Sequence, residues 1–289
     1  MALTEQQIQN WARALSDTEN DKCVRTVASI RKVLEDHFGT KVKVSLQGSY
    51  ANSTNVRQDS DVDIVVCYQD AYYSDLQFLT PQDKIYNEQN KIPHDYTFFN
   101  FKNEVEVLLR ENFGTSVERK EKCIRINGNA SRVNADVVPC FVLNRFISNP
   151  YRIEVEGVQL FTDSGNDPVI NFPIHHKKNG ETKNQSTDQK YKAAVRILKN
   201  CRNNLVDNKK VSEKVMPSFL LESLVWNVPD PHFKVYSHKD MVNNVIRKIY
   251  NDMSEEEHNK YAEINDLMWL KKNPSEIRIF LEHVHNIIN

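Results

Sequence analysis

The chain has 289 residues, enough for one large domain or two modest domains with real hydrophobic cores. Its formal net charge of −1 argues against a broad, non-specific grip on long nucleic acid. No apolar run approaches the ~18 residues of a membrane span, and the N-terminus has no signal-peptide pattern. The five cysteines form no C-x-x-C pair, which predicts reduced core thiols rather than a zinc site. We therefore expect a cytoplasmic protein that does not act at a membrane.

Two helices open the predicted structure. Thr4-x-x-Gln7 and Ser16-x-x-Glu19 have the spacing of capping boxes, in which side chains satisfy backbone N–H groups at a helix start. Apolar residues then recur at helical spacing, and Gly39 is suited to end the second helix.

A Gly-Ser pair and an Asp-x-Asp pair accompany the next two predicted strands. Residues 42–46 alternate between apolar and polar, and Gly48 and Ser49 follow as a turn. Asp61 and Asp63 open the second strand, where alternation places both carboxylates on one face. Such a pair alone most often marks a solvated strand edge. Beside a turn whose backbone N–H groups suit a phosphate, it favours a site for a cation such as Mg²⁺ and metal-assisted nucleotidyl transfer.

The middle of the chain predicts alternating helices and strands. Residues 70–97 are polar and tyrosine-rich, which predicts an insertion of loops and short helices. Residues 98–113 have the apolar spacing of an amphipathic helix. Residues 151–162 predict a hairpin with Glu156 and Gly157 at its turn.

One further aspartate lies inside an apolar strand. A hairpin is predicted from strands at 123–126 and 132–141 around the Asn-Gly pair at 127–128. Asp136 needs a partner there, because burying an unpaired carboxylate costs several kcal/mol. A salt bridge to an arginine such as Arg132 is one interpretation. The other, favoured by the upstream pair, is a third carboxylate of the cation site.

The C-terminal part is predicted to be helical after about residue 185. Residues 171–187 form a polar stretch, predicted as a loop that is either flexible or the lysine-bearing rim of a phosphate site. The next helix carries a basic stripe of Lys192, Arg196 and Lys199. Further helices are predicted to begin near Pro217, Ser237, Ser254 and Asn273.

These motifs together resemble the polymerase-β-like nucleotidyltransferases. The match consists of a Gly-Ser turn, an Asp-x-Asp strand and a third aspartate, in the order Gly48, Ser49, Asp61, Asp63 and Asp136. Residues 194–199 and 217–224 resemble segments of 2′-5′-oligoadenylate synthetases and cyclic GMP-AMP synthase. The resemblance covers the whole chain and is best to the bacterial cGAS/DncV-like nucleotidyltransferases (CD-NTases). The pattern in 175–192 is similar to clade E, whose members make cyclic dinucleotides.

The resemblance implies an α+β fold. A polymerase-β-like mixed sheet with flanking helices is expected together with a C-terminal helical bundle like that of oligoadenylate synthetases. The nucleotidyltransferase core with its N-terminal spine helices would occupy residues 1–170. A helical domain that completes the nucleotide-binding cleft would occupy residues 171–289.

The resemblance also implies the roles of individual residues. The catalytic residues Asp61, Asp63 and Asp136 would hold two Mg²⁺ ions, with Mn²⁺ as an alternative ion. The nucleotide would be bound by Gln47, Gly48, Ser49, Asn166, Arg196, Lys199, Ser218 and Phe219.

The resemblance also implies which part of the nucleotide several of these residues would contact. Arg196 and Lys199 would neutralise the triphosphate, and Ser218 would bond a phosphate oxygen. Phe219 would stack on the base, at a position where the family often has tyrosine. Asn166 would select a uridine-containing product, although a turn asparagine is the alternative interpretation.

The implied reaction joins two NTPs (ATP, GTP or UTP) into a cyclic dinucleotide second messenger and releases pyrophosphate, in anti-phage (CBASS) signalling. The enzyme would be a monomer that contacts no effector directly and needs no long nucleic acid, since the zinc insertion of the animal enzyme is missing. A template-independent terminal RNA nucleotidyltransferase is one alternative, although no basic RNA-binding face is evident. A catalytically silent nucleotide-sensing module is another, and the three aspartates argue against it.

Overall fold

The computed structural model describes residues 2–57, 61–165, 168–212 and 215–289. The helices are α1 (Glu5–Ala12), α2 (Asp17–Phe38), α3 (Gly48–Ala51), α4 (Pro81–Gln89), α5 (Phe98–Phe113), α6 (Pro173–Ser186), α7 (Lys190–Asp207), α8 (Ser218–Trp226), α9 (His238–Ser254) and α10 (Pro274–Ile288). The strands are β1 (Val42–Gln47), β2 (Val62–Asp75), β3 (Val117–Arg119), β4 (Ile124–Ile126), β5 (Ala135–Arg145), β6 (Val155–Phe161) and β7 (Pro168–Asn171). Within the described ranges, no helix is long and apolar enough to cross a membrane.

The chain forms two compact units, each assembled from separate stretches of sequence. The sheet unit contains residues 18–47 and 61–173, and the helical unit contains residues 1–17, 48–60 and 174–289. In the sheet unit the strand order is β1-β2-β5-β4-β3, and β6 pairs with β5 and β7. Strands β2 and β5 run parallel, whereas the other pairs are antiparallel. The predicted α+β class, with a mixed sheet, flanking helices and a helical C-terminal part, is confirmed.

Local sequence signals explain several element boundaries. The capping box of α1 is present: the Thr4 hydroxyl accepts from the Gln7 backbone N–H, and the Gln7 side chain accepts from the Thr4 N–H. Helix α2 ends as predicted before Gly39, whose φ of +57° favours a residue without a Cβ. Val62, Ile64 and Val66 of β2 are buried, so the face opposite the aspartates packs into the core.

Strand β2 is longer than the sequence indicates. Part of the region predicted as loops and short helices, residues 70–75, continues this strand and pairs with β5 beyond an irregularity between Tyr68 and Tyr72. Tyr73 stacks on Phe141 with ring centroids 5.6 Å apart. Aromatic packing on the sheet therefore outweighs the polar composition that predicted loops there. A short helix, α4, does follow.

The predicted hairpin at 151–162 is wrong. Residues Glu156 and Gly157 lie inside strand β6, between β5 and β7. A Cβ on Gly157 would lie 2.7 Å from the Phe172 ring. The glycine therefore marks a close approach of an aromatic ring to the backbone rather than a turn.

The β4–β5 hairpin forms, but with a longer connection than predicted. Strand β5 begins at Ala135 rather than at residue 132. In the connection, the Asn129 side chain accepts from the backbone N–H groups of Ser131 and Arg132, and Asn134 accepts from the Gly128 N–H at 2.8 Å. These asparagine–backbone bonds replace the two-residue turn that the Asn-Gly pair predicts.

The polar stretch 171–187 is helical from residue 173 to residue 186, so the predicted loop is wrong. Its polar side chains are used inside the helical unit: Lys183 Nζ donates to the Val228 carbonyl and to Asp230, both at 2.6 Å. Asn179 donates to the Ile264 carbonyl at 2.9 Å. Because tertiary hydrogen bonds rather than an apolar face hold α6, hydrophobic periodicity does not reveal it.

The prediction that a helix begins at Ser254 is also wrong. Ser254 is the last residue of α9, and its hydroxyl donates to the Tyr250 carbonyl at 3.0 Å. A short 3₁₀ helix (Glu256–Lys260) follows instead. The helices predicted near Ser237 and Asn273 do form, and both residues are N-caps whose side chains accept from backbone N–H groups.

A buried lysine provides a stability test for the sheet unit. Lys102 of α5 is fully buried and donates to the carbonyls of Lys120 and Glu121 and to Asp163, at 2.7–3.0 Å. Lys102→Met should lower the free energy of unfolding by about 3 kcal/mol, because it removes the buried donor that these three partly buried acceptors share. Urea denaturation measures the change. The exposed neighbour Lys122→Met is the control, expected to change the free energy by under ~0.5 kcal/mol, and equal effects would contradict the assignment.

Candidate active site

A row of polar side chains crosses four strands of the sheet unit. Gln47 in β1 pairs with Asp63 in β2, Asp63 pairs with Asp136 in β5, and Asp136 pairs with Arg125 in β4. Residues directly opposite each other on neighbouring strands project to the same face, and Asp61 joins them because it lies two residues before Asp63. We call these five residues the acidic row. The structure thus brings together four residues that the sequence singled out.

Arg125 is the member that the sequence analysis missed. Its Nη2 atom donates to Asp61 at 2.8 Å, and its Nη1 atom lies 3.4 Å from both carboxylate oxygens of Asp136. Asn134 also donates to Asp61, at 2.9 Å. The arginine predicted as a partner of Asp136, Arg132, instead donates to the Ser116 hydroxyl and to a loop carbonyl.

The electrostatics of the row follow from partial burial. Burial raises the pKa of Asp136; Arg125 opposes this rise, and the Asp61 charge adds to it. The thiol of Cys123 hydrogen-bonds to Asp136, and burial together with the nearby carboxylates raises the pKa of Cys123 to about 12. Cys123 therefore stays protonated at neutral pH and is no thiolate ligand.

The donor set of the row fits a hard divalent cation. Three carboxylates on one sheet face supply the oxygen ligands that Mg²⁺ and Mn²⁺ prefer. In the geometry of the residues that the structure describes, no group of three or more His, Cys, Asp or Glu side chains is placed so that it could hold a metal ion. The Arg125 guanidinium lies between Asp61 and Asp136, so a cation bound by both carboxylates would have to compete with it.

The Gly-Ser pair belongs to the helical unit and forms one helical turn. Gly48 has a φ of +69° and begins α3 directly after β1. The Asn52 side chain donates to the Gly48 carbonyl at 2.9 Å, and the Thr54 N–H donates to the Ser49 carbonyl at 2.9 Å. We call residues 48–54 the phosphate turn, after its predicted role.

The basic stripe of α7 does not face solvent as the sequence suggests. Lys199 is 2% exposed and pairs with Glu222 at 2.6 Å. Arg196 donates to the carbonyls of Ala12 and Ser53, at 2.6 and 2.5 Å. Burial lowers the pKa of Arg196 to about 10, so it keeps its charge at neutral pH. Contact of either side chain with a triphosphate stays a prediction.

The remaining predicted contacts lie at the start of α8 and near residue 166. The hydroxyl of Ser218 accepts from Arg202 Nη1 at 3.1 Å. Phe219 is partly exposed, and the His176 ring meets it edge-on at a centroid distance of 5.5 Å. Asn166 lies outside the described residues.

Comparison with known proteins identifies the family. Residues 27–156 match the nucleotidyltransferase domain, and residues 178–289 match the cGAS/DncV-like nucleotidyltransferase C-terminal helical domain. A cyclic dipurine nucleotide synthase from Elizabethkingia meningoseptica is 46% identical over 276 residues, which cover 95% of this chain and 93% of that protein. The chain belongs to the cGAS/DncV-like nucleotidyltransferases. The resemblance stated from the sequence is confirmed, and the protein is a nucleotidyltransferase.

Solved structures of CD-NTases show the same fold. The E. meningoseptica CdnE cyclic dinucleotide synthase with GTP and Apcpp is 40% identical, with a TM-score of 0.82 and coverage of 98% of both chains. The Rhodothermus marinus CdnE c-UMP-AMP synthase with Apcpp and Upnpp is 30% identical, with a TM-score of 0.82 and coverage of 98% of this chain and 96% of that one. Both of these enzymes were solved in complex with nucleotides or nucleotide analogues. Nucleotidyltransferases of this kind generally use divalent metal ions.

Proposed function

We propose that this CD-NTase joins two NTPs into a cyclic dinucleotide. The ribose hydroxyl of one NTP attacks the α-phosphate of the other, forming a phosphodiester bond and releasing pyrophosphate. A second transfer of the same kind closes the ring and releases a second pyrophosphate. The observation that carries the proposal is the acidic row, which places Asp63 and Asp136 side by side across the parallel β2–β5 pair in a chain 46% identical to a cyclic dipurine nucleotide synthase.

The acidic row would hold the cofactor. Asp61, Asp63 and Asp136 are the proposed ligands of two Mg²⁺ ions, with Mn²⁺ as an alternative, because carboxylate oxygens match these ions. The bound ions would supply charge neutralisation at the reacting phosphate and at the departing pyrophosphate. Asp136 is also the proposed acceptor of the proton from the attacking hydroxyl.

The nucleotide-binding roles rest on the resemblance and on local geometry. Gly48 and Ser49 would hold phosphates, supported by the compact turn that they form. Phe219 would stack on the base, supported by its exposed ring. Arg196 and Lys199 would add positive charge near the triphosphate, but each must leave or share an internal partner to contact it.

Two arguments predict different bases in the product. By resemblance, Asn166 supports a uridine-containing product, whereas the relative at 46% identity is named a dipurine synthase. Cytoplasmic anti-phage signalling by a monomer is likewise proposed from the family alone.

Product analysis tests the proposal. The protein is incubated with all four NTPs and Mg²⁺, without primer or added nucleic acid, and products are treated with phosphatase and identified by mass spectrometry. A phosphatase-resistant cyclic dinucleotide is expected, and leaving out one NTP at a time identifies its bases. Extension of an added RNA primer without a cyclic product would instead show a terminal nucleotidyltransferase. Nucleotide binding without turnover would show a silent sensing module.

A further inference from the structure

A buried carboxylate lies at the centre of the helical unit, at a position without a role in the proposed mechanism. Glu222 of α8 is 2% exposed and belongs to neither the acidic row nor the predicted nucleotide contacts. Its Oε1 atom accepts from Lys199 Nζ and from the Thr54 hydroxyl, both at 2.6 Å. Its Oε2 atom lies 3.0 Å from His176 Nε2. Four segments of the helical unit therefore meet at one side chain.

One oxygen of Glu222 leads to the phosphate turn. The hydroxyl that it binds belongs to Thr54, whose own backbone N–H donates to the Ser49 carbonyl at 2.9 Å. Thr54 is 1% exposed, so this hydroxyl is not available to solvent. Glu222 thus holds the C-terminal end of the turn, and Lys199 offsets the charge of the carboxylate.

The other oxygen leads to the base-stacking side chain. His176, bound to Oε2, presents its ring edge-on to Phe219 at 5.5 Å, with an interplanar angle of 66°. Phe219 also lies three residues before Glu222 on α8, which places it one helical turn away. His176 Nε2 also lies 3.1 Å from the side-chain nitrogen of Asn52, a residue of the phosphate turn. A single carboxylate is therefore bonded through Oε1 to the phosphate turn and through Oε2 to a histidine that contacts both the turn and the stacking ring.

The charges explain why this group is ionised although it is buried. Burial alone would raise the pKa of Glu222, but Lys199 and His176 lower it to about 2. The group is a carboxylate at neutral pH and acts only as an acceptor. A buried network whose polar atoms are all bonded is rigid, since each lost bond leaves an uncompensated group.

The geometry points to Glu222 as a positioning residue of the nucleotide site, which sets the distance between the phosphate turn and Phe219. It does not touch the nucleotide. It acts through Thr54 on the triphosphate end and through His176 on the base end, and His176 also contacts Asn52 of the phosphate turn. This inference rests on the proposed function in so far as it takes the turn and Phe219 as nucleotide contacts.

The Thr54 hydroxyl gives a test that separates positioning from general stability. Thr54→Val keeps the shape of the side chain and removes the bond to Glu222, whereas Thr54→Ser keeps the hydroxyl. We expect Thr54→Val to weaken binding of a non-hydrolysable ATP analogue about tenfold and to leave AMP binding unchanged, as measured by calorimetry. Thr54→Ser should behave as the wild type.

His176→Gln should give a different pattern. It should weaken AMP binding, because His176 contacts the stacking ring, and should weaken binding of the ATP analogue by a larger factor, because His176 also contacts Asn52 of the phosphate turn. Glu222→Gln should combine both effects, and if it does not fold, the Thr54 and His176 variants carry the test. The inference is overturned if Thr54→Val weakens binding of the ATP analogue and of AMP by the same factor, or weakens binding of neither.

Failure of the inference and failure of the proposed function have different results. Selectively weaker binding of the ATP analogue by Thr54→Val supports the inference whether or not the wild type makes a cyclic dinucleotide. A wild type that makes no cyclic dinucleotide overturns the proposed synthase activity alone. A wild type that makes the product while its Thr54→Val variant binds ATP analogue and AMP normally overturns the inference alone.

Discussion

Asp63→Asn is expected to lower kcat for cyclic dinucleotide synthesis by about 1,000-fold. Asp63 is the central carboxylate of the acidic row, flanked by Gln47 on β1 and Asp136 on β5. An amide at this position keeps the shape but supplies neither the negative charge nor the second ligand oxygen that a divalent cation needs. Steady-state rates of pyrophosphate release, with mass spectrometry of the product, measure the loss.

The matched control for this variant is on the same strand. Asp70→Asn removes a carboxylate from an exposed position of β2, away from the row, and should leave kcat within about twofold of the wild type. The melting temperature of Asp63→Asn should stay close to that of the wild type, so that loss of rate is not loss of folded protein. Retention of a tenth or more of the wild-type kcat in Asp63→Asn would exclude the row as the catalytic site.

The residues of the row differ in how far the sequence reveals them. Asp61 and Asp63 are visible because strand alternation puts both on the face opposite the buried Val62 and Ile64. Asp136 is visible because a carboxylate in an apolar strand requires a partner. Arg125 cannot be predicted in the same way, because its position beside Asp136 depends on the pairing register of β4 with β5, and no local sequence pattern determines that register.

The helical unit shows the opposite limit. Periodicity finds α7 and α9, whose apolar faces pack into one core, but misses α6, whose residues bond through Lys183 and Asn179 to distant carbonyls. The same limit applies to the lysine and arginine of α7. The spacing of Arg196 and Lys199 predicts a basic surface. Both side chains are buried instead, and they bond to the Ser53 carbonyl and to Glu222, which come from other parts of the chain. Long-range polar contacts are therefore what the sequence analysis lacks.

Phe219→Ala is expected to raise the KM for the NTP substrates by about 10- to 100-fold, with a smaller change in kcat. The variant removes a ring that is 38% exposed and on which a base can stack, without altering the acidic row. Stacking stabilises the bound nucleotide and the transition state alike, so its loss appears in KM rather than in kcat. Phe219→Tyr, which introduces the residue frequent in the family, keeps the ring and should keep the KM near that of the wild type.

Phe99 provides the control for general effects of removing an aromatic ring. It is also 38% exposed but lies on α5 in the sheet unit, where it packs against Phe98 and Phe161. Phe99→Ala should lower stability without a selective rise in KM, as measured by thermal denaturation and initial rates over a range of NTP concentrations. Similar KM values in Phe219→Ala and Phe99→Ala would contradict a role of Phe219 in base binding. The expected difference in KM would place the base at the start of α8, one helical turn from Glu222.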